Sequence, residues 1–277
     1  MVTVTFKERK LPYAVNEEVK QLRTNIKFSG DDKKVIMITS SVASEGKSSI
    51  SLDLANSFRD LGSKVLLIDA DMRKSMFKHY LDDPEKIRYG LSHLLSGQCN
   101  INDALYVSAE GVAFIFAGPV PPNPSELLSN NKMELLIGAV RDYFDYIIID
   151  CPPLGAVIDA AVIAKYCDGA IVVIHAGKIP YKVAQEVLRQ LKDSGVPILG
   201  AVINMVDMKR RGYYYKNYYY KKYGSYYAKT GEAYESLVDD EGSVGGHVDD
   251  AAAPACGAHL LAHLIGDRKS TRLNSSH

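Results

Sequence analysis

The sequence predicts an α/β domain built on a doubly wound, mostly parallel sheet flanked by helices. Three observations predict it. Runs rich in Val, Ile and Leu recur at 35–39, 65–69, 112–117, 146–150, 170–175 and 198–204. Near-continuous apolar runs mean strands buried on both faces, as in a parallel sheet covered by helices. Helix-like stretches at 47–61, 125–143, 159–166 and 181–193 alternate with those runs, which is the pattern of repeated βα units over residues 30–208.

The elements follow in order. An amphipathic segment at 15–28 precedes the first strand, 35–39. The helix at 47–61 starts after Gly46 and stops at Gly62, a residue type that ends helices cheaply. Residues 91–97 read as a short packing helix. Pro124 opens the stretch 125–143, because proline suits the first turn. Gly195 closes 181–193 before the last strand, 198–204.

With 277 residues, 47% of them hydrophobic and 24% charged, the chain has enough apolar content for a real core and is neither fibrous nor wholly disordered. Its 33 basic residues balance 33 acidic ones, so no net field advertises nucleic acid or a membrane surface. No apolar run approaches the ~18 residues of a spanning helix, and residues 1–10 lack the apolar core of a signal peptide. Four scattered cysteines (Cys99, Cys151, Cys167, Cys256) without C-x-x-C spacing fit a reducing compartment, so a cytoplasmic protein is expected.

Residues 1–208 are thus expected to be the folded domain. Beyond them the composition changes. Residues 209–230 hold seven basic and no acidic residues, and 213–234 hold ten of the 18 tyrosines; 231–250 hold seven acidic and no basic residues. No helical or strand period runs through 209–250, which reads as a disordered, tyrosine-rich tail. Residues 251–277, Ala-rich and then polar, resemble nothing upstream. They read as a translated remnant and are left out of the fold assignment.

The chemistry concentrates at strand ends. Strand 35–39 runs into S-V-A-S-E-G-K-S at 41–48 and then a helix, which is a P-loop with Ser41 in place of the usual first glycine. Phosphate needs backbone N–H groups and a helix N-terminus around it. Ser44, Glu45, Gly46, Lys47, Ser48 and Ser49 are the expected cradle. Lys47 supplies a point charge to phosphate, and the Ser48 hydroxyl a ligand to Mg²⁺. Lys47 is expected to be an exposed loop charge whose loss disturbs no core. Strand 65–69 ends in Asp69 and is followed by Asp71; strand 146–150 ends in Asp150. Ligands of open α/β sheets gather at such carboxyl ends, so all three aspartates can converge on the P-loop.

The loop at 41–48, the D-x-D-x-R at 69–73, the D-C-P at 150–152, the P-P-N-P-S-E-L-L at 121–128, the L-R-T-N at 22–25 and the tyrosine tail together resemble the bacterial tyrosine kinases of capsule and exopolysaccharide synthesis. The resemblance covers roughly residues 12–227 and implies roles by matching position. Asp69, Asp150 and Ser48 would serve Mg²⁺, with ATP on the P-loop. Asp71 would help activate the incoming tyrosine hydroxyl. Arg73 would stabilise transferred-phosphate charge or shape the site, and Asn204 would contact adenine. The tyrosines at Tyr213, Tyr214, Tyr215, Tyr218, Tyr219, Tyr220, Tyr223, Tyr226 and Tyr227 would be autophosphorylated. The resemblance also implies a homo-oligomer, a ring in the family, through an E-x-x-R-x-x-R motif that reads here Glu17, Lys20, Arg23. Lysine keeps the charge but loses the bidentate fork. Further implied partners are a membrane adaptor of the polysaccharide co-polymerase type, which recruits the chain to the inner face of the cell membrane, and a protein-tyrosine phosphatase. Ser44 departs from the pattern, standing where many members carry glycine.

Two rival readings share parts of this pattern. A ParA/MinD-like positioning ATPase carries an extra lysine near the start of the P-loop, where this chain has Val42. A nucleotide-dependent oligomerising scaffold would use the tail for docking and transfer no phosphate. A Lys/Tyr tail also suits single-stranded nucleic acid, but beside a kinase-like site the tyrosines read as substrate, and no nucleic acid is expected.

Overall fold

The apolar runs become strands because their side chains alternate between two cores. In the computed structural model, which describes residues 2–206 and the strand backbone at 257–261, Val35 and Met37 enter one core and Ile36 and Ile38 the other. All four are fully buried. The chain runs β1 (Val2–Val4), α1 (Tyr13–Phe28), β2 (Val35–Ser40), α2 (Lys47–Arg59), β3 (Val65–Asp69), α3 (Leu91–Ser96), α4 (Ile101–Ala104), β4 (Tyr106–Ser108) and β5 (Ala113–Ile115). It continues through α5 (Pro124–Ser129), α6 (Asn131–Arg141), β6 (Tyr146–Asp150), α7 (Asp159–Ala164), β7 (Gly169–His175), α8 (Tyr181–Asp193), β8 (Ile198–Val206) and β9 (Gly257–Leu261).

One face of the sheet is covered by α1 and α2, whose Leu22, Ile26, Ile50, Leu54 and Phe58 close the core that Ile36 and Ile38 enter. Leu91, Leu128, Leu136, Ile163 and Leu191, from α3, α5, α6, α7 and α8, close the other. Burying each such side chain stabilises by roughly 1.5–3 kcal/mol.

The strand order is β1-β4-β5-β3-β6-β2-β7-β8-β9. Every pairing is parallel except β4 with β5 and β8 with β9. The expected doubly wound, mostly parallel sheet is present. Its central feature is that β6 lies between β2 and β3, with Asp69 directly opposite Asp150 in the β3–β6 register. The P-loop after β2 and the carboxylates of β3 and β6 are therefore neighbours by topology alone.

Several elements differ from expectation. The stretch 125–143 is two helices, because Asn130 takes extended angles (φ −75°, ψ 159°) and its side chain caps α6 at the N–H of Lys132. The three-residue strands β1 and β4 carried no sequence signal and exist through mutual long-range pairing. Five residues of the segment 251–277, Gly257–Leu261, pair antiparallel with β8 at the sheet edge. The tyrosine-rich segment 209–250, and with it the expectation of a disordered tail, lies outside the described residues.

Candidate active site

The loop from β2 to α2 is held open by its own polar groups. Ser44 adopts φ 65° and Gly46 φ 84°, both left-handed. At Gly46 a Cβ would overlap Nδ2 of Asn204, so any other residue has to displace that amide. Glu45 is buried. Its carboxylate accepts the backbone N–H of Val42 at 2.7 Å and of His175 at 2.9 Å. The Asn204 side chain donates to the Glu45 carbonyl at 2.9 Å. The loop is thus stapled to β7 and β8, with the N-terminus of the 13-residue helix α2 behind it, the arrangement that receives phosphate.

Below the loop, Lys47, Ser48, Asp69, Asp71 and Asp150 converge. Lys47 Nζ lies 2.8 Å from Asp71 Oδ2 and 3.8 Å from Asp150 Oδ2. Ser48 donates to Asp150 Oδ2 at 2.6 Å, and Ser51, one turn along α2, donates to Asp150 Oδ1 at 3.2 Å. Asp69 accepts the Asp71 N–H at 3.2 Å and the Ser75 hydroxyl. Asp71 Oδ1 accepts the N–H of Lys74 at 2.9 Å.

The electrostatics follow from burial. Lys47 is only 6% exposed, which corrects the expectation of an exposed loop charge: it starts α2 and turns inward under the loop. Burial pulls its ammonium down, but Asp150, Asp71 and Asp69 outweigh that and hold it above the usual lysine range. Burial pushes Asp69 up to about 8, reinforced by the Asp150 charge against the opposing Ser75 bond and Lys47. Burial likewise raises Asp150, against the pull of Lys47 and Ser48. Three buried carboxylates face one buried cation, and the surplus negative charge is what a divalent cation relieves.

Arg73 lies beside this cluster and is tied down. Its Nε donates to Asp159 Oδ2 at 2.8 Å, and its Nη2 donates to Asp159 Oδ1 and Ser125 Oγ, each at 3.1 Å. The Ser125 hydroxyl donates in turn to Asp159 Oδ1. Burial acts to raise the Asp159 carboxyl, but the Arg73 and Ser125 bonds outweigh it and hold it below the usual range.

The structure thus brings Ser44, Glu45, Gly46, Lys47, Ser48, Asp69, Asp71, Asp150 and Asn204 to one end of the sheet. Asn204 uses its amide on the P-loop carbonyl. Ser49 turns away to Tyr80, with its Oγ 3.3 Å from the phenolic oxygen. Glu17 and Lys20 pair with each other on α1 at 2.7 Å. Arg23 instead donates to the carbonyl and hydroxyl of Ser57 on α2, at 2.7 and 3.0 Å. The nine tail tyrosines lie outside the described residues. Sequence reasoning missed Ser51, Ser75, Ser125 and Asp159. Only Ser51 carried a local signal, sitting three residues beyond Ser48 on the same helix face.

Comparison with known proteins places this geometry. An AAA domain family model matches residues 33–194. The chain is 42% identical over 187 residues to the tyrosine-protein kinase CpsD of Streptococcus agalactiae, a match covering 67% of this chain and 80% of that protein. It is 38% identical over 225 residues to the tyrosine-protein kinase CpsD of Streptococcus pneumoniae, covering 79% of this chain and 99% of that one. The kinase domain of the Escherichia coli tyrosine kinase ETK superposes with a TM-score of 0.64 at 30% identity, over 73% of this chain and 88% of that one. A P-loop backed by carboxylates on β3 and β6, joined to relatives of that identity and coverage, makes this chain a member of the bacterial P-loop tyrosine kinase family.

Proposed function

We propose that the chain transfers the γ-phosphoryl group of Mg²⁺-bound ATP to tyrosine hydroxyls, including those of Tyr213–Tyr215, Tyr218–Tyr220, Tyr223, Tyr226 and Tyr227 on a neighbouring copy. The observation that carries the reading is the meeting of Lys47, Ser48, Asp71 and Asp150 beneath a preformed phosphate loop. Bound against Ser48, with Asp150 and Asp69 next to it or reached through water, Mg²⁺ would neutralise charge on the β- and γ-phosphates. The raised carboxyls of Asp69 and Asp150 support that fit.

The chain's own groups do the rest. Loop N–H groups and the start of α2 hold the phosphates. Lys47 Nζ, drawn to phosphate oxygens, releases Asp71 Oδ2. The tyrosine oxygen attacks γ-phosphorus, the bond to the β–γ bridging oxygen breaks with its electron pair leaving on ADP, and the phenolic proton passes to Asp71.

No helix of the described residues is long and apolar enough to cross a membrane. We place the chain in the cytoplasm, held at the inner membrane face by an adaptor of the polysaccharide co-polymerase type. There it assembles as a homo-oligomeric ring through the α1 face, acts in capsule or exopolysaccharide synthesis, and is reset by a protein-tyrosine phosphatase. No nucleic acid takes part.

The test mixes an inactive full-length Lys47→Met chain with an active full-length chain in which the nine tail tyrosines are changed to Phe, in labelled ATP and Mg²⁺. Acid-stable label on tyrosines of the inactive chain is expected. Label that never appears on tyrosine, with both chains folded and nucleotide hydrolysed, would favour a positioning ATPase; binding without hydrolysis would favour a scaffold.

A further inference from the structure

We propose that Asp159 and Ser125 are positioning residues for Arg73, fixing its guanidinium so that one free edge meets the phosphoryl group on its way to tyrosine. The proposal rests on the kinase reading above.

Its basis is how the donors are allotted. Arg73 spends Nε and both hydrogens of Nη2 on Asp159 and Ser125. Nη1, with two N–H donors, makes no hydrogen bond among the described residues. The side chain is 40% exposed while that of Asp159 is 1% exposed. The anchored edge therefore faces the interior and the charged free edge faces outward. Arg73 follows Asp71 by two residues in the loop after β3, so the guanidinium is carried by the same loop as the residue proposed to receive the tyrosine proton.

A buried carboxylate needs neutralising, and one arginine contact does that. Here it receives three hydrogen bonds, two in a side-on fork that fixes the guanidinium plane. An unrestrained arginine loses rotamer freedom when it engages an anion. Asp159 and Ser125 take that loss at folding, leaving a preoriented donor pair of the kind that stabilises charge developing during transfer. The three residues come from separate segments: Arg73 from the loop after β3, Ser125 from α5 and Asp159 from the start of α7. Their meeting ties the Pro-rich loop at 119–124, which leads into α5, to the catalytic edge.

The test uses the full chain, with a synthetic peptide of residues 209–230 as acceptor and ADP as the nucleotide-affinity probe. Asp159→Asn should lower kcat/KM for the peptide at least 30-fold, with ADP affinity unchanged within twofold. Ser125→Ala should lower it three- to tenfold. Because both act through Arg73, the Arg73→Ala/Asp159→Asn double variant should match Arg73→Ala alone within twofold. Transfer by Asp159→Asn within twofold of wild type overturns the inference. So does a double variant that loses activity multiplicatively, or a parallel fall in ADP affinity. If Asp159→Asn does not fold, Ser125→Ala on wild-type and Arg73→Lys backgrounds decides: a loss on the first alone supports the inference, and equal losses on both overturn it. Wild-type chain that puts no label on tyrosine overturns the kinase reading itself, which separates the two failures.

Discussion

Lys47 Nζ lies 2.8 Å from Asp71 Oδ2, so the cation proposed to meet phosphate and the carboxylate proposed to receive the tyrosine proton are each other's partner. In the proposed transfer this couples nucleotide binding to acceptor activation. Drawing Lys47 onto phosphate frees the Asp71 oxygen, and the base becomes available only when there is a phosphoryl group to transfer.

Lys47→Met should abolish tyrosine labelling, and it should also weaken the fold. Lys47 is buried, and its loss strands the carboxylates of Asp71 and Asp150. Breaking a buried pair by removing one partner costs about 3–5 kcal/mol. Protonation of the stranded carboxyls recovers part of that, so the deficit should grow with pH. Urea denaturation of wild type and variant at pH 6 and pH 8 checks it; a pH-independent difference below about 0.5 kcal/mol would place Lys47 in an exposed setting.

Asp69 predicts a pH dependence of the wild type itself. Its carboxyl is pushed up to about 8 in the fold, chiefly by burial, against about 3.9 unfolded. The folded state therefore binds the extra proton between those values. The stability due to this group is fully present below pH ~4 and is lost as pH rises through ~8. Asp69→Asn keeps an acceptor for the Asp71 N–H and has no proton to lose. Denaturation in EDTA should show wild type losing more than about 1.4 kcal/mol relative to the variant between pH 5 and pH 8. Parallel curves would mean that Asp69 titrates normally.

The P-loop backbone gives two substitutions of opposite sign. An L-residue in the left-handed region costs roughly 1–2 kcal/mol, and Ser44 sits at φ 65°. Glycine there escapes that strain but loses about 0.5–1 kcal/mol in the freer unfolded chain. Ser44→Gly should therefore stabilise by roughly 0.5–1 kcal/mol, a rise in melting temperature of about 1–4 °C. Gly46→Ala should do the reverse, because its Cβ overlaps the Asn204 amide at φ 84° and displaces the bond to Glu45. Calorimetry and ADP titration separate the two: the first variant melts higher and still binds, and the second melts lower and does not.

What could be read from the sequence was chiefly what is local in the chain. The ranges 65–69, 146–150 and 181–193 match β3, β6 and α8, because each apolar run or amphipathic period is closed by its own Asp or by the nearby Gly195. Ser44, Gly46, Lys47 and Ser48 followed from one contiguous motif. Among contacts between distant segments, the convergence of Asp69, Asp71 and Asp150 on the P-loop was legible from their places at strand ends, but contacts outside such a motif were not. Asp159 meets Arg73 across 86 positions, and nothing in A-V-I-D-A-A distinguishes that aspartate from an ordinary helix start. The burial of Lys47 was misread for the same reason, since it depends on β6 lying between β2 and β3. The break at Asn130 was overlooked because Asn within a long apolar pattern signals a cap only when its backbone is seen to be extended.

The α1 motif separates into two kinds of residue, and the last prediction distinguishes them. Arg23 donates to the Ser57 carbonyl and hydroxyl, pinning α1 to α2 within one chain. Hydrogen bonds from a charged donor contribute about 1.5–3 kcal/mol, so Arg23→Ala should destabilise the monomer by that amount. Glu17 and Lys20 form an i,i+3 pair with side chains 35% and 45% exposed, and such pairs contribute about 0.5 kcal/mol or less. Lys20→Ala should therefore leave monomer stability unchanged. Lys20 and Glu17 remain on the outer face of α1, where the proposed contact between copies has charges to use. Lys20→Glu should then weaken self-association at low salt at least threefold, with the difference shrinking at high salt as screening sets in. Denaturation at low protein concentration reads the first effect, and sedimentation at two salt concentrations reads the second. Assembly unaffected by Lys20→Glu at either salt would remove α1 as the contact face, while a stable Arg23→Ala monomer with lost assembly would mean that Arg23 leaves Ser57 to reach a neighbour.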